Sequence, residues 1–186
     1  MKRLKGSVAP PAQGGNQVDW DSAETENGHG FPSDYRLFME VYGQGCFDDF
    51  LGVEPPVQEV YPLDEGATIR GRTADALETA EATEYHEPEL LIAWGLTTES
   101  DLLCWRTDSA DPEKWTVVLW RRQYDSWEHF ECGMVEFLCR YAERDLPEIW
   151  TLDLAYDGCR FVHDRDLKRA ILSEIDPWER EPLPGI

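Results

Sequence analysis

The chain has 186 residues, room for one domain with a real core and little for a second. Hydrophobic residues make up 41%, with eight Trp, seven Tyr and seven Phe, which excludes a disordered composition. Thirty-eight acids against 17 bases leave a formal charge of −21, a field that repels nucleic acid and anionic membranes and attracts basic proteins.

Residues 1–18, rich in Pro, Gly and Gln, predict a flexible N-terminal arm. VDWDSAETENG follows, with Asp19 or Asp21 as the cap of one short helix that Gly28 or Gly30 ends. FPSDYRLFMEVYGQG then carries a full set of helix signals. Pro32 ends the loop, Ser33 is placed to cap by accepting from a first-turn N–H, and Asp34 sits where the helix dipole favours negative charge. Tyr35, Phe38, Met39 and Tyr42 form one apolar stripe, and Gly43 and Gly45 let the chain turn away. CFDDFLGV reads as one short strand, stopped by Pro55 and Pro56. TADALETAEATEY, from Thr73, predicts a surface helix with Ala74, Leu77 and Glu81 near one face.

The middle changes period. LLIAWG (90–95), DLLCWRT (101–107), WTVVLWRR (115–122) and SWEHFEC (126–132) read as neighbouring strands of an antiparallel sheet joined by short links. Residues 134–145 return to helical spacing, with Met134, Phe137, Leu138 and Tyr141 on one face and Pro147 beyond. IWTLDLAY and CRFVH predict a hairpin about Asp157-Gly158. A last helix over 165–175 shows Leu167, Ile171 and Ile175, and a Pro-rich tail fills 177–186. Helices, strands, then helices is an α+β order: a single domain over 19–176, with a central, mainly antiparallel sheet flanked by helices.

Five cysteines with no C-x-x-C make no disulfide framework and point to a reducing, cytoplasmic setting. MKRLKG is followed by SVAPPAQGG rather than an apolar stretch, so no signal peptide is expected, and no apolar run suggests a membrane span. HDRDLKRAIL has some letters of a kinase catalytic loop but lacks its metal-binding Asn and its companion motifs, so it reads as a capped surface helix. The histidines are scattered without zinc spacing, and His129 with Glu131 is a weak same-face pair. No cofactor or metal site is expected. Acidic solubility, a basic protein partner and divalent-cation binding all remain open as uses of the charge.

W-D…G-x-x-x-P-S-D-Y-R-x-F…Y-G-Q-G, from Trp20 to Gly45, resembles the signature of the SUKH superfamily, which includes a yeast regulator of cell-wall synthesis. LLIAWGLTTESDLLCWRTDSADPEKWTVVLW resembles its second block, and SWEHFECGMVEFLCRY its closing strand and helix; together they span residues 18–145. SAETENGHG departs from the family's more apolar first helix, and Phe31 stands where leucine is usual. The resemblance makes Trp20, Pro32, Asp34, Tyr35, Phe38, Tyr42, Gly43, Gly45, Trp94, Gly95, Trp105 and Trp115 the family's structural motif. It implies a non-catalytic protein binder, either an immunity protein that silences a basic toxin, such as a nuclease, or a regulatory scaffold. An uncharacterised hydrolase or metal enzyme is the competing class. Asp48, Asp49, Asp101, Asp108, Asp111 and Glu113, at predicted strand ends, are the candidate partner-binding acids.

Overall fold

Residues 91–130 alternate small or aliphatic with aromatic side chains across short links, and they zip into a meander. Strands β3 (Leu91–Thr97), β4 (Leu102–Arg106), β5 (Thr116–Arg121) and β6 (Ser126–Phe130) each pair antiparallel with the next. The computed structural model describes residues 1–58, 66–146 and 158–178, and in it the sheet grows to seven strands. With β1 (Gly45–Phe47), β2 (Leu51–Val53) and β7 (Phe161–His163), the spatial order is β6-β5-β4-β3-β2-β1-β7, all neighbours antiparallel. The expected α+β architecture is the one observed.

Alternation sends the strands' side chains to two faces. The inner face collects Trp94, Leu103, Trp105, Val117, Leu119 and Phe130, and the outer face Leu91, Ala93, Leu102, Cys104 and Val118. Helix α3 (Ser33–Val41) lays its buried Tyr35, Phe38 and Met39 on the inner face, where Tyr35 meets Trp105 edge-on at 5.1 Å. Helix α5 (Met134–Ala142) brings the expected Met134, Phe137, Leu138 and Tyr141 to the same core. Helix α2 (Trp20–Asn27) starts on the Asp19 cap and ends at Gly28 in the left-handed conformation, as expected. Gly95 sits beside a bulge in β3, and a Cβ there would lie 2.6 Å from the Gly52 carbonyl oxygen, so the strands close only around glycine.

Several expectations fail for identifiable reasons. The segment CFDDFLGV is not one strand but the β1–β2 hairpin, turning at Asp48 and Asp49, whose φ angles are 52° and 54°. Aspartate tolerates the left-handed region better than most residues, and a tight hairpin needs it. The helix expected from Thr73 is α4 (Ile69–Ala82), begun four residues earlier by the Thr68 cap; it buries Ile69, Ala76 and Ala80 rather than Ala74, Leu77 and Glu81. Residues 1–18 are not a loose arm. Helix α1 (Lys2–Ser7) buries Leu4, Arg3 pairs with Glu136 of α5 and with Glu143 just after it, and the Tyr42 hydroxyl donates to the Val8 carbonyl at 2.7 Å.

At the C-terminal side, IWTLDLAY and Asp157 lie outside the described residues. CRFVH does supply β7, whose partner is β1, with Cys46 opposite Val162. Helix α6 (Asp164–Leu172) follows, capped by His163, whose Nδ1 accepts from the Arg165 N–H at 3.1 Å. It is the capped surface helix expected of HDRDLKRAIL, and Ile171, Leu172 and Ile175 are exposed.

Candidate functional site

The sheet divides the six candidate acids between its two ends. Asp48 and Asp49 form the β1–β2 turn, and Asp101 directly precedes β4 at the same end, since Leu51 pairs with Thr97. Asp108, Asp111 and Glu113 lie in the β4–β5 link at the opposite end. They therefore do not make one patch. Asp48 is 4% exposed and its Oδ1 accepts from the Arg160 N–H at 2.7 Å; Asp101 is 5% exposed and accepts from the Arg122 N–H at 2.9 Å. Both are turn clamps buried away from any partner. Burial raises the carboxyl pKa of Asp48 despite the hydrogen bond it accepts.

Glu113 has a structural task as well. Its two carboxylate oxygens take the Ser33 N–H and hydroxyl, each at 2.7 Å, so the cap of α3 comes from 80 residues away rather than from Ser33. The expected Ser33 cap is thereby corrected. Asp34 in turn accepts from the Val135 N–H at 3.0 Å in the first turn of α5, and burial raises its pKa. Asp49, Asp108 and Asp111 remain exposed at the surface, with Asp108 3.2 Å from Arg106 and Asp111 3.6 Å from Lys114.

The residues of the quoted motif occupy the inner core and its rim. Tyr35, Phe38, Tyr42, Trp94 and Trp105 are fully buried, and Trp115 is held by its indole N–H on the Ser109 carbonyl at 2.7 Å. Trp20 packs on Phe31 and Tyr35, with Arg36 5.0 Å above its ring. Pro32 precedes the first turn of α3. Gly43 has φ 76°, and a Cβ there would meet His163 Nε2 at 2.6 Å; Gly45 pairs with Val53 and His163.

The outer face is built differently. The alanines of α4 let it lie close on β3, and the chain after it crosses to β6. There the Trp127 indole N–H donates to the Thr83 hydroxyl at 3.0 Å and its ring stands 4.5 Å from that of Tyr85. Trp120 and Trp127 are half-buried, unlike Trp94 and Trp105, and His129 is exposed. In the sequence, Trp94, Trp105, Trp120 and Trp127 read as core strand aromatics with a recognition face as the alternative; Tyr85 and Thr83 were not singled out. A usable signal was present: residues 73–105 hold eight acids and no Lys or Arg.

Acids outnumber bases 38 to 17, and eight of the described bases are engaged in ion pairs. Arg3, Arg36, Arg72, Arg106, Arg121, Arg140, Arg169 and Lys114 each pair with a carboxylate, which leaves the surplus acids facing solvent. His129 Nε2 lies 3.4 Å from the Tyr85 hydroxyl, and His29 Nδ1 lies 2.8 Å from the Gly30 carbonyl. Among the described residues, no group of three or more His, Cys, Asp or Glu is placed to hold a metal ion, and no helix is long and apolar enough to cross a membrane. A cleft of about 360 Å³ opens beside β2, where Glu54 and Arg72 pair at 2.8 Å and Gln44 donates to Asp164 at 2.9 Å. Within it the buried Gln44 Oε1 has no hydrogen-bond partner among the described residues.

A family model described as SMI1-KNR4 cell-wall matches residues 17–138, which takes in α2, α3 and the sheet from β1 through β6. No curated protein and no solved structure matches the chain.

Proposed function

The chain belongs to the SUKH superfamily, and on that premise we propose that it is a non-catalytic protein-binding domain of the immunity type, which binds and neutralises a basic toxin. The observation that carries this reading is the unspent negative charge: −21 overall, with the described arginines largely committed to internal pairs. A toxin that acts on nucleic acid presents a basic surface, and a strongly acidic protein both finds it quickly and competes with its substrate. Asp49, Asp108 and Asp111 are the remaining loop acids available for such contact. All five cysteines are free thiols, which fits a reducing cytoplasm.

A regulatory scaffold is the second reading, favoured by the cell-wall description of the matching family model. The two separate in one experiment. The tagged chain is used to capture partners from its source cells, with washes at low and high salt, and each partner is expressed with and without the chain. A basic protein released by high salt, whose expression arrests growth unless the chain is present, supports immunity. A harmless partner from wall synthesis or signalling overturns it in favour of the scaffold.

A further inference from the structure

Strand β6 ends the sheet, so along its free side it pairs with no strand among the described residues. Natural edges of this kind are commonly blunted by lysine or proline. This one carries neither: β6 reads Ser-Trp-Glu-His-Phe, and no Lys or Arg occurs anywhere in residues 123–139. The edge also has an aromatic shelf. Tyr85, Trp120 and Trp127 are only half-buried, His129 is exposed, and the rings of Tyr85 and His129 stand 6.1 Å apart. Thr83, held by Trp127, brings the C-terminal end of α4 over the strand, and the exposed Glu81 and Glu84 come with it. Of the three nearby arginines, Arg122 is exposed at the β5–β6 turn beyond the start of the strand, and the other two are engaged beside the shelf. Arg106 pairs with Glu87 and Asp108 and donates to the Tyr85 hydroxyl, and Arg121 is 9% exposed with Glu128 at 3.6 Å.

We propose that the open β6 edge, with the Tyr85–Trp127 shelf and the carboxylates at the end of α4, docks an extended basic segment of the partner protein. The segment's main chain adds to the sheet as a strand beside β6. Its cationic side chains lie over the Trp127 and Tyr85 rings, where the quadrupole favours positive charge, and reach Glu81 and Glu84. Charge selects the occupant: an acidic or neutral strand has the same main-chain bonds to offer but meets a shelf whose adjoining bases, Arg106 and Arg121, already face carboxylates, with Arg122 out at the turn. The inference rests on the reading of the chain as a binder of basic proteins and assigns that binding to one edge, apart from the loop acids.

The probe is a ten-residue peptide alternating arginine and valine, titrated into the full chain and followed by amide NMR. Two control peptides replace arginine with glutamate or N-methylate alternate residues so that no strand can form. The expected result is shift changes centred on residues 81–85 and 126–130, with binding at least tenfold weaker for either control. Trp127→Ala and the surface pair Glu81→Lys/Glu84→Lys should each weaken the arginine peptide at least tenfold; the pair guards against simple unfolding of the tryptophan variant. Equal binding of the N-methylated peptide, shift changes centred on Asp49 or Asp108, or no binding overturns the proposal. The broader reading fails differently. A basic partner that binds the Glu81→Lys/Glu84→Lys variant as well as wild type sinks only the edge, whereas a non-basic partner insensitive to salt sinks the immunity reading while the peptide result stands.

Discussion

The two faces of the sheet are covered by the same kinds of element and end in opposite conditions. On the inner face, α3 and α5 press large aromatic side chains onto Trp94 and Trp105, and both tryptophans are fully buried. On the outer face, α4 offers alanines, the core is small, and Trp120 and Trp127 stay half-open. The inner face spends its aromatic rings on the fold, since each buried ring contributes through area and ring–ring contact. The outer face keeps comparable rings near solvent beside an open edge and a stretch of sequence, residues 73–105, that holds eight acids and no Lys or Arg.

Truncating the inner face should do the most damage. Trp105→Ala is expected to lower unfolding free energy by about 3–5 kcal/mol in urea titration, because the cavity lies between packed rings that cannot collapse; a loss near that of an outer-face truncation would erase the distinction. The junction of β7 with α6 carries a pH dependence. His163 is 2% exposed and its pKa is pushed down to about 4 by burial first and by Arg165 second. As pH falls below 6.5 the unfolded chain takes up this proton before the folded one, so stability present above 6.5 is lost toward 4. The loss is roughly 2 kcal/mol. Asp34 and Asp48 act in the other direction, since their raised pKa values favour proton uptake by the folded state. The difference between wild type and His163→Asn is therefore the readout: the variant keeps a cap acceptor and should lose less stability between pH 6.5 and 4.

The outer face is sensitive to added bulk rather than to lost rings. Ala80→Leu should push α4 off the sheet and cost about 1–3 kcal/mol, while Glu113→Ala should cost about 1 kcal/mol by freeing the first turn of α3. Ser33→Ala should cost less than Glu113→Ala, because the Ser33 N–H keeps its carboxylate. Equal losses in thermal unfolding would return the cap to Ser33.

The parts legible in the sequence were those whose signals are local. Tyr35, Phe38 and Met39 at helical spacing, Met134 to Tyr141 likewise, and four alternating strands on short links each state their own structure, and the motif from Trp20 to Gly45 identified the family. The misread parts depend on partners far along the chain. Leu4 and Val8 look like arm residues until α5 and Tyr42 are beside them. Glu113 and Asp34 accept from first-turn N–H groups 80 and 101 residues away, and no window of sequence joins them. The strand status of Cys46 and Val53 depends on β7 and β3 flanking a hairpin whose Asp-Asp turn lacks the usual glycine. The candidate acids were chosen as loop residues, and Asp48 and Asp101 show why that criterion is incomplete: a carboxylate at a strand end serves the turn's own N–H groups before it serves a partner.

The most direct test of the claim that binding belongs to the outer face is hydrogen–deuterium exchange of the full chain with and without its captured basic partner. Slowed exchange in residues 126–130 and in the C-terminal half of α4, with α1, α3 and α5 unchanged, is the expected result. Protection confined to α1, α3 and α5, or to the turns at Asp49 and Asp111, with β6 exchanging as freely as before, would contradict it.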